Sequence, residues 1–107
     1  MITMPGVFSP TEALLAARAG ASSLKFFPAS VLGAAGIIAI RAVLPPDVMI
    51  AAVGGVSDQN FAEYVKAGIR AFGLGSSLYK PGMTAADVAV RAKVTIEAYD
   101  RAVQGAG

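Results

Sequence analysis

Val48-Met49-Ile50-Ala51-Ala52-Val53 runs into Gly54-Gly55 without one polar residue. Asp58 to Ala67 follows, with Phe61, Tyr64 and Val65 at helical spacing, and Gly68 stops it. A short unbroken apolar run suits a strand covered on both faces, as in a parallel sheet, and the periodicity after it suits a crossover helix. The same pair recurs on both sides. Ser23 to Phe27 is strand-like and halted by Pro28; Gly33 to Leu44 carries Ile37, Ile38, Ile40 and Val43 before Pro45-Pro46. Ala71 to Leu74 is closed by Gly75, and a final helix is expected from Ala85 to about Val103. Its apolar stripe reads Val88, Ala92, Ile96, Tyr99 and Val103, with Asp87/Arg91 and Glu97/Arg101 as i,i+4 pairs on the wet side. At the start, Met1 to Met4 reads as an extended run ending at Pro5-Gly6. Ser9 then suits an N-cap, Pro10 the first turn, and Glu12 a capping box.

Strand and helix alternating four times predicts an α/β fold of parallel β/α units. Ile2, Leu24, Ile50 and Phe72, as strand markers, lie 22, 26 and 22 residues apart. Eight such units need roughly 200 residues, the low end of a (β/α)₈ barrel. The 107 residues therefore read as half of one. A receiver-like doubly wound domain would need acidic residues after its first strand, where Met4-Pro5-Gly6 stands. A dinucleotide site would need G-x-G-x-x-G, of which Gly73 and Gly75 supply only part.

Composition narrows the chemistry. The chain is 55% hydrophobic and 15% charged, which excludes a disordered protein. No apolar run reaches the about eighteen residues of a membrane span, and Met1 to Pro10 lacks the pattern of a secretory signal. Without Cys or His, disulfides, thiolate or imidazole metal sites and His-based triads are excluded. A net charge of +2 with scattered aromatics is no nucleic-acid footprint. The expectation is a cytoplasmic globular protein working through Lys, Asp, Glu, Ser, Thr or backbone groups.

Lys25 interrupts the apolar run Ser23-Leu24-Lys25-Phe26-Phe27-Pro28. Alternation sets Leu24 and Phe26 under the helices and Ser23, Lys25 and Phe27 on the barrel-interior face. Lys25 also falls near the C-terminal end of its strand, where barrels keep their chemistry. A lysine among phenylalanines is costly to keep charged, and a neutral amine can attack a carbonyl to form a Schiff base. The alternative is a packed stem whose head reaches water. Lys66, Lys80 and Lys93 fall on helix ends, loops or solvated faces and make no such case.

Ala52-Val53-Gly54-Gly55-Val56 and Gly73-Leu74-Gly75-Ser76-Ser77-Leu78-Tyr79 are two glycine turns after consecutive strands, the second able to start a short extra helix. Such turns let backbone N–H groups approach an anion, and barrel enzymes often bind phosphate after their seventh and eighth strands. Strand-to-helix turns also need glycine for geometry alone. Glu12 is accounted for by its cap, Asp58 and Asp87 by helix starts, and no carboxylate falls at a strand tip, so no general base is found.

Leu24-Lys25-Phe26-Phe27-Pro28-Ala29, the two glycine turns, and Met4-Pro5-Gly6 with Ser9-Pro10-Thr11-Glu12 together resemble the 2-keto-3-deoxy-6-phosphogluconate aldolase family. Ala-Val-Gly-Gly in place of Pro-Thr-Gly-Gly, with Leu-Gly-Ser-Ser-Leu-Tyr, is closer to its 6-phosphogalactonate branch. The resemblance covers essentially residues 1–107 and implies the C-terminal half-barrel, strands five to eight. It implies a metal-independent class I aldolase splitting 2-dehydro-3-deoxy-6-phosphogalactonate (or -gluconate) into pyruvate and D-glyceraldehyde 3-phosphate. Lys25 matches the Schiff-base lysine, and Gly54, Gly55, Gly75 and Ser76 match the phosphate turns. Trimeric assembly is implied as well. The family's catalytic glutamate and its carboxylate-binding arginine belong to the first four units and have no counterpart here. A complementing N-terminal half is one expectation; a non-catalytic sugar-phosphate-binding or interaction half-barrel is the alternative.

Overall fold

The computed structural model of the chain describes residues 1–106. The elements are β1 (Gly6–Val7), α1 (Pro10–Arg18), β2 (Ser23–Phe26), α2 (Ala29–Arg41), β3 (Met49–Val53), α3 (Phe61–Lys66), β4 (Ala71–Gly73) and α4 (Ala85–Gly105). The strands form one sheet in the order β1-β2-β3-β4, and every pairing is parallel. Each of α1, α2 and α3 thus returns the chain to the next strand in line, as repeated β/α units require. Among the described residues β1 and β4 are free edges.

The two sheet faces differ as alternation demands. Leu24, Phe26, Ile50 and Ala52 are buried together with Ala13 of α1, Ile37 and Ile40 of α2, Phe61 and Tyr64 of α3, and Ala98 of α4. Burying a side chain the size of Leu24 or Phe26 stabilises the fold by about 1.5–3 kcal/mol, so this face anchors the helices. The opposite face carries the row Gly6, Lys25, Ala51 and Ala71, which are partners in register across the sheet. Phe61, Phe72 and Tyr99 pack edge-to-face or tilted, with ring centroids 4.8–6.1 Å apart, and join α3, β4 and α4.

Local readings change at several points, among them the start of α3 at Phe61 in place of Asp58 and the Glu97/Arg101 pair, which does not form. The first strand pairs at Gly6–Val7, not Met1–Met4. Ser23, Lys25 and Phe27 donate to the carbonyls of Thr3, Pro5 and Val7, so the chain is extended from Thr3. Pro5 has no N–H to return a bond, and regular pairing begins only after it. In α2 the helical span opens at Ala29, and Gly33 (φ 69°, ψ 166°) breaks it where the sequence suggested a start. The stripe of α4 turns away from Ile96, which is 61% exposed, onto Thr95 and Ala98. Thr95 is satisfied internally, its hydroxyl donating to the Arg91 carbonyl at 2.7 Å. Ile96 instead lies with Phe72, Leu74 and Tyr99 along the open β4 side, where no further element among the described residues covers it. Lastly, Arg91 does not pair with Asp87, because Asp87 closes the capping box with Thr84; among the described residues the one salt bridge joins Arg91 to Asp58.

Candidate active site

Lys25 sits half-buried on the face turned from the helices, between Gly6 of β1 and Ala51 of β3. Phe26 belongs to the other face, so the lysine's flanks are small residues and not a pair of phenylalanines. A methyl group added to Gly6 would stand 3.2 Å from the Lys25 Cε. Gly6, having no side chain, leaves open the space in which the amine lies.

Beyond Lys25 at the C-terminal ends of the strands lies a cleft of about 390 Å³. It is lined by Phe27, which shares the Lys25 face, by Gly54 and Gly55 after β3, and by Gly75, Ser76, Ser77 and Lys80 after β4. The four expected turn residues are thus brought together. Lys25, one alternation back on β2, is not part of this lining.

The glycines are present for different reasons. Gly54 (φ 96°) and Gly55 (φ 74°) adopt left-handed backbone in succession. A Cβ on Gly55 would come within 2.5 Å of Ser30 Cβ, and one on Gly54 within 3.0 Å of the Phe27 ring. The turn is held by Ser30 N–H donating to the Gly54 carbonyl at 3.1 Å and Asn60 Nδ2 donating to the Gly55 carbonyl at 2.9 Å. Geometry alone demands glycine there. Gly75 has neither constraint: its φ is not positive, and nothing lies within 4 Å of an added Cβ. Gly55→Val should therefore destabilise the chain by about 2–5 kcal/mol, from left-handed backbone and overpacking. Gly75→Ala should stay within about 0.5 kcal/mol of the parent. Urea unfolding of the two variants checks this contrast; equal losses would contradict it.

The expected short helix after β4 is one turn, in which Leu78 and Tyr79 N–H both donate to the Gly75 carbonyl at 3.0 Å. Arg91 of α4 fixes that turn from below. Its Nε donates to the Ser77 carbonyl at 3.2 Å, and its Nη2 donates to Asp58 Oδ1 at 2.6 Å. The Asp58 side chain is only 7% accessible. The bond from Arg91, opposed in part by burial, holds the Asp58 carboxyl below its ordinary value of about 3.8. With the folded value depressed, the pair's stabilisation is complete above that ordinary value and is lost as pH falls below it. The urea midpoint of the parent should fall between pH 7 and pH 3, and Asp58→Asn should start lower and fall less. Parallel curves would remove the pair from this role.

Glu12 is not a base in reserve. Its carboxylate accepts from the N–H of Phe8 and of Ser9 and from the Ser9 hydroxyl, and these bonds lower its pKa. Among the described residues no group of three Asp or Glu stands together as a metal site would require. Two participants escaped the sequence reading. Lys80 reads in the sequence as a loop lysine, although its place five residues after Gly75 in one loop is a usable signal. The Asp58–Arg91 tie spans 33 positions and left no local trace.

The comparisons agree with this architecture. The profile of the family described as KDPG and KHG aldolase matches residues 1–100. A probable 2-dehydro-3-deoxy-6-phosphogalactonate aldolase of Rhizobium meliloti (strain 1021) is 71% identical over 98% of this chain and 50% of its own length. The 2-dehydro-3-deoxy-6-phosphogalactonate aldolase of Escherichia coli (strain K12) is 44% identical over 97% of this chain and 51% of its own. A solved structure described as native KDPGal superposes with a TM-score of 0.91 at 44% identity, covering 97% of this chain and 50% of that one. The chain spans about half the length of the curated relatives it matches.

Proposed function

The chain belongs to the KDPG and KHG aldolase family, and from that membership we propose that residues 1–107 are strands five to eight of its barrel and carry the Schiff-base half of the active site. The substrate is 2-dehydro-3-deoxy-6-phosphogalactonate, the compound named for both curated relatives, with the gluconate epimer as the alternative. The observation that carries the reading is the Lys25 amine in a row of small residues, beside a cleft of glycine turns.

In this reaction the Lys25 amine adds to the C2 carbonyl and water leaves, giving an iminium. The C3–C4 bond then breaks, its electron pair moving into the iminium to form an enamine, while the C4 hydroxyl gives up its proton and becomes the aldehyde of D-glyceraldehyde 3-phosphate. Protonation of the enamine carbon and hydrolysis release pyruvate and return the free amine. Gly54, Gly55, Gly75 and Ser76 are proposed to hold the phosphate. No metal or organic cofactor enters this scheme. The residue that moves the protons is not found in this chain, so a complementing N-terminal half is the partner proposed, with assembly into trimers as the family resemblance implies. A cytoplasmic setting accompanies this reading, supported by a sequence that contains no cysteine to pair.

A second reading, a non-catalytic half-barrel that binds sugar phosphate, is favoured by one observation: Lys25 does not line the cleft. Sodium borohydride with pyruvate, followed by peptide mass mapping, separates the two. A reduced pyruvate adduct on Lys25 is expected. Absence of the adduct in folded protein supplied with an N-terminal half would retire the aldolase reading in favour of the binding one.

A further inference from the structure

Lys80 is the one charged residue in the lining of the cleft that Gly54, Gly55, Gly75 and Ser76 form. We propose that Lys80 is the cation that selects a phosphate dianion there, with the Ser77 hydroxyl as a neutral donor beside it; this rests on the phosphate reading above and adds to it the source of charge.

Three observations point the same way. First, the glycine turns offer only neutral groups. Backbone N–H groups would position an anion, but phosphate carries close to two negative charges at pH 7, and an uncharged cleft discriminates weakly between it and a hydroxyl. Second, the other cation nearby is already engaged. Arg91 is neutralised by Asp58 at 2.6 Å and tethered to the Ser77 carbonyl, whereas Lys80 forms no ion pair among the described residues. Third, Ser77 lines the cleft, and its Oγ, turned from solvent, has no hydrogen-bond partner among the described residues, so a side-chain rotation would bring it to face a ligand. A buried hydroxyl left without a partner is unfavourable unless a ligand supplies one.

The backbone of the loop prepares Lys80 for this role. Its N–H meets Met83 Sδ at 3.1 Å, and its carbonyl accepts from Met83 N–H at 3.1 Å. The turn fixes the Cα while the long stem remains free to bring its ammonium over the cleft mouth. A flexible point charge suits recognition of charge more than of shape.

The test titrates inorganic phosphate into the purified 107-residue chain at low and high salt, following ³¹P line width, with circular dichroism as a control for folding. Lys80→Ala should weaken binding by on the order of tenfold, the scale of one charge-assisted hydrogen bond. It should also flatten the salt dependence, which a merely structural residue would leave in place. Lys80→Arg should restore both, and Ser77→Ala should cost about threefold. Gly75→Val, which fills the cleft, separates the two levels of the argument. If it abolishes binding while Lys80→Ala matches the parent in affinity and salt response, the phosphate site stands and the Lys80 proposal falls. If the parent itself takes up no phosphate, both fall.

Discussion

Lys25→Arg is expected to yield no borohydride-trapped pyruvate adduct, where the parent chain labels at that residue. The reasoning is chemical. Imine formation needs a lone pair on the attacking nitrogen, and a guanidinium keeps its proton through the whole accessible pH range. The substitution preserves charge and a long stem, so a lost adduct reports nucleophilicity and not a lost ion pair. Gly6 and Ala51 stand on either side of the substituted residue. Lys25→Met provides the same comparison with charge removed and packing kept. Trapping that persists in both, on Lys66, Lys80 or Lys93, would mean that the reactive amine had been assigned to the wrong strand.

The purified 107-residue chain is expected to fall at least 10²–10⁴-fold short of a complete family enzyme in aldol cleavage, the contribution of a general acid–base group. Lys25 supplies the nucleophile for the imine, with solvent able to carry the protons of that step, but breaking the C3–C4 bond needs a base at the C4 hydroxyl and a proton delivered to the enamine carbon. Glu12 is committed to the cap of α1, Asp58 to Arg91 and Asp87 to the cap of α4. A coupled assay for pyruvate release, with the chain alone and with an N-terminal half added, reads the effect. Family-like turnover by the chain alone would show that a base is present and has been overlooked, and Glu12→Gln would be the first variant to make.

The architecture was legible because the strands lie under helices on one face and within a barrel-like interior on the other, which makes them apolar runs with glycine ends. Ile50 and Ala52 declare that arrangement, and their neighbours in register repeat it. The placement of Lys25 on the face turned from the helices was legible for the same reason, as a charge in a run where none is needed for packing. What was lost depended on groups distant in sequence or on atoms that letters do not display. Pro5 delays β1 because it lacks a donor, a fact available from the sequence but outweighed by the apolar look of Met1 to Met4. Ile96 seemed a core residue because nothing local says that the β4 edge is open. Arg91 seemed paired to Asp87 because i,i+4 spacing is visible, whereas the prior claim of the Thr84 cap on Asp87 and the fold-dependent approach of Asp58 are not. In the site, Gly55 and Gly75 look alike as letters. Only the dihedral angle and the space around each show that one is required by the turn and the other is not.

The tie from Asp58 to Arg91, set beside the Phe61, Phe72 and Tyr99 cluster, also determines how the molecule comes apart. The loop after β3, the turn after β4 and the body of α4 share these contacts, so opening one exposes the partners of the others. The third and fourth units are therefore expected to open as a single cooperative block, their amides exchanging together in a hydrogen-exchange measurement. The first unit, with its two-residue strand and proline at the edge, is expected to exchange ahead of that block. Both glycine turns sit within the slow-opening block, while the free β1 edge lies in the part that yields first.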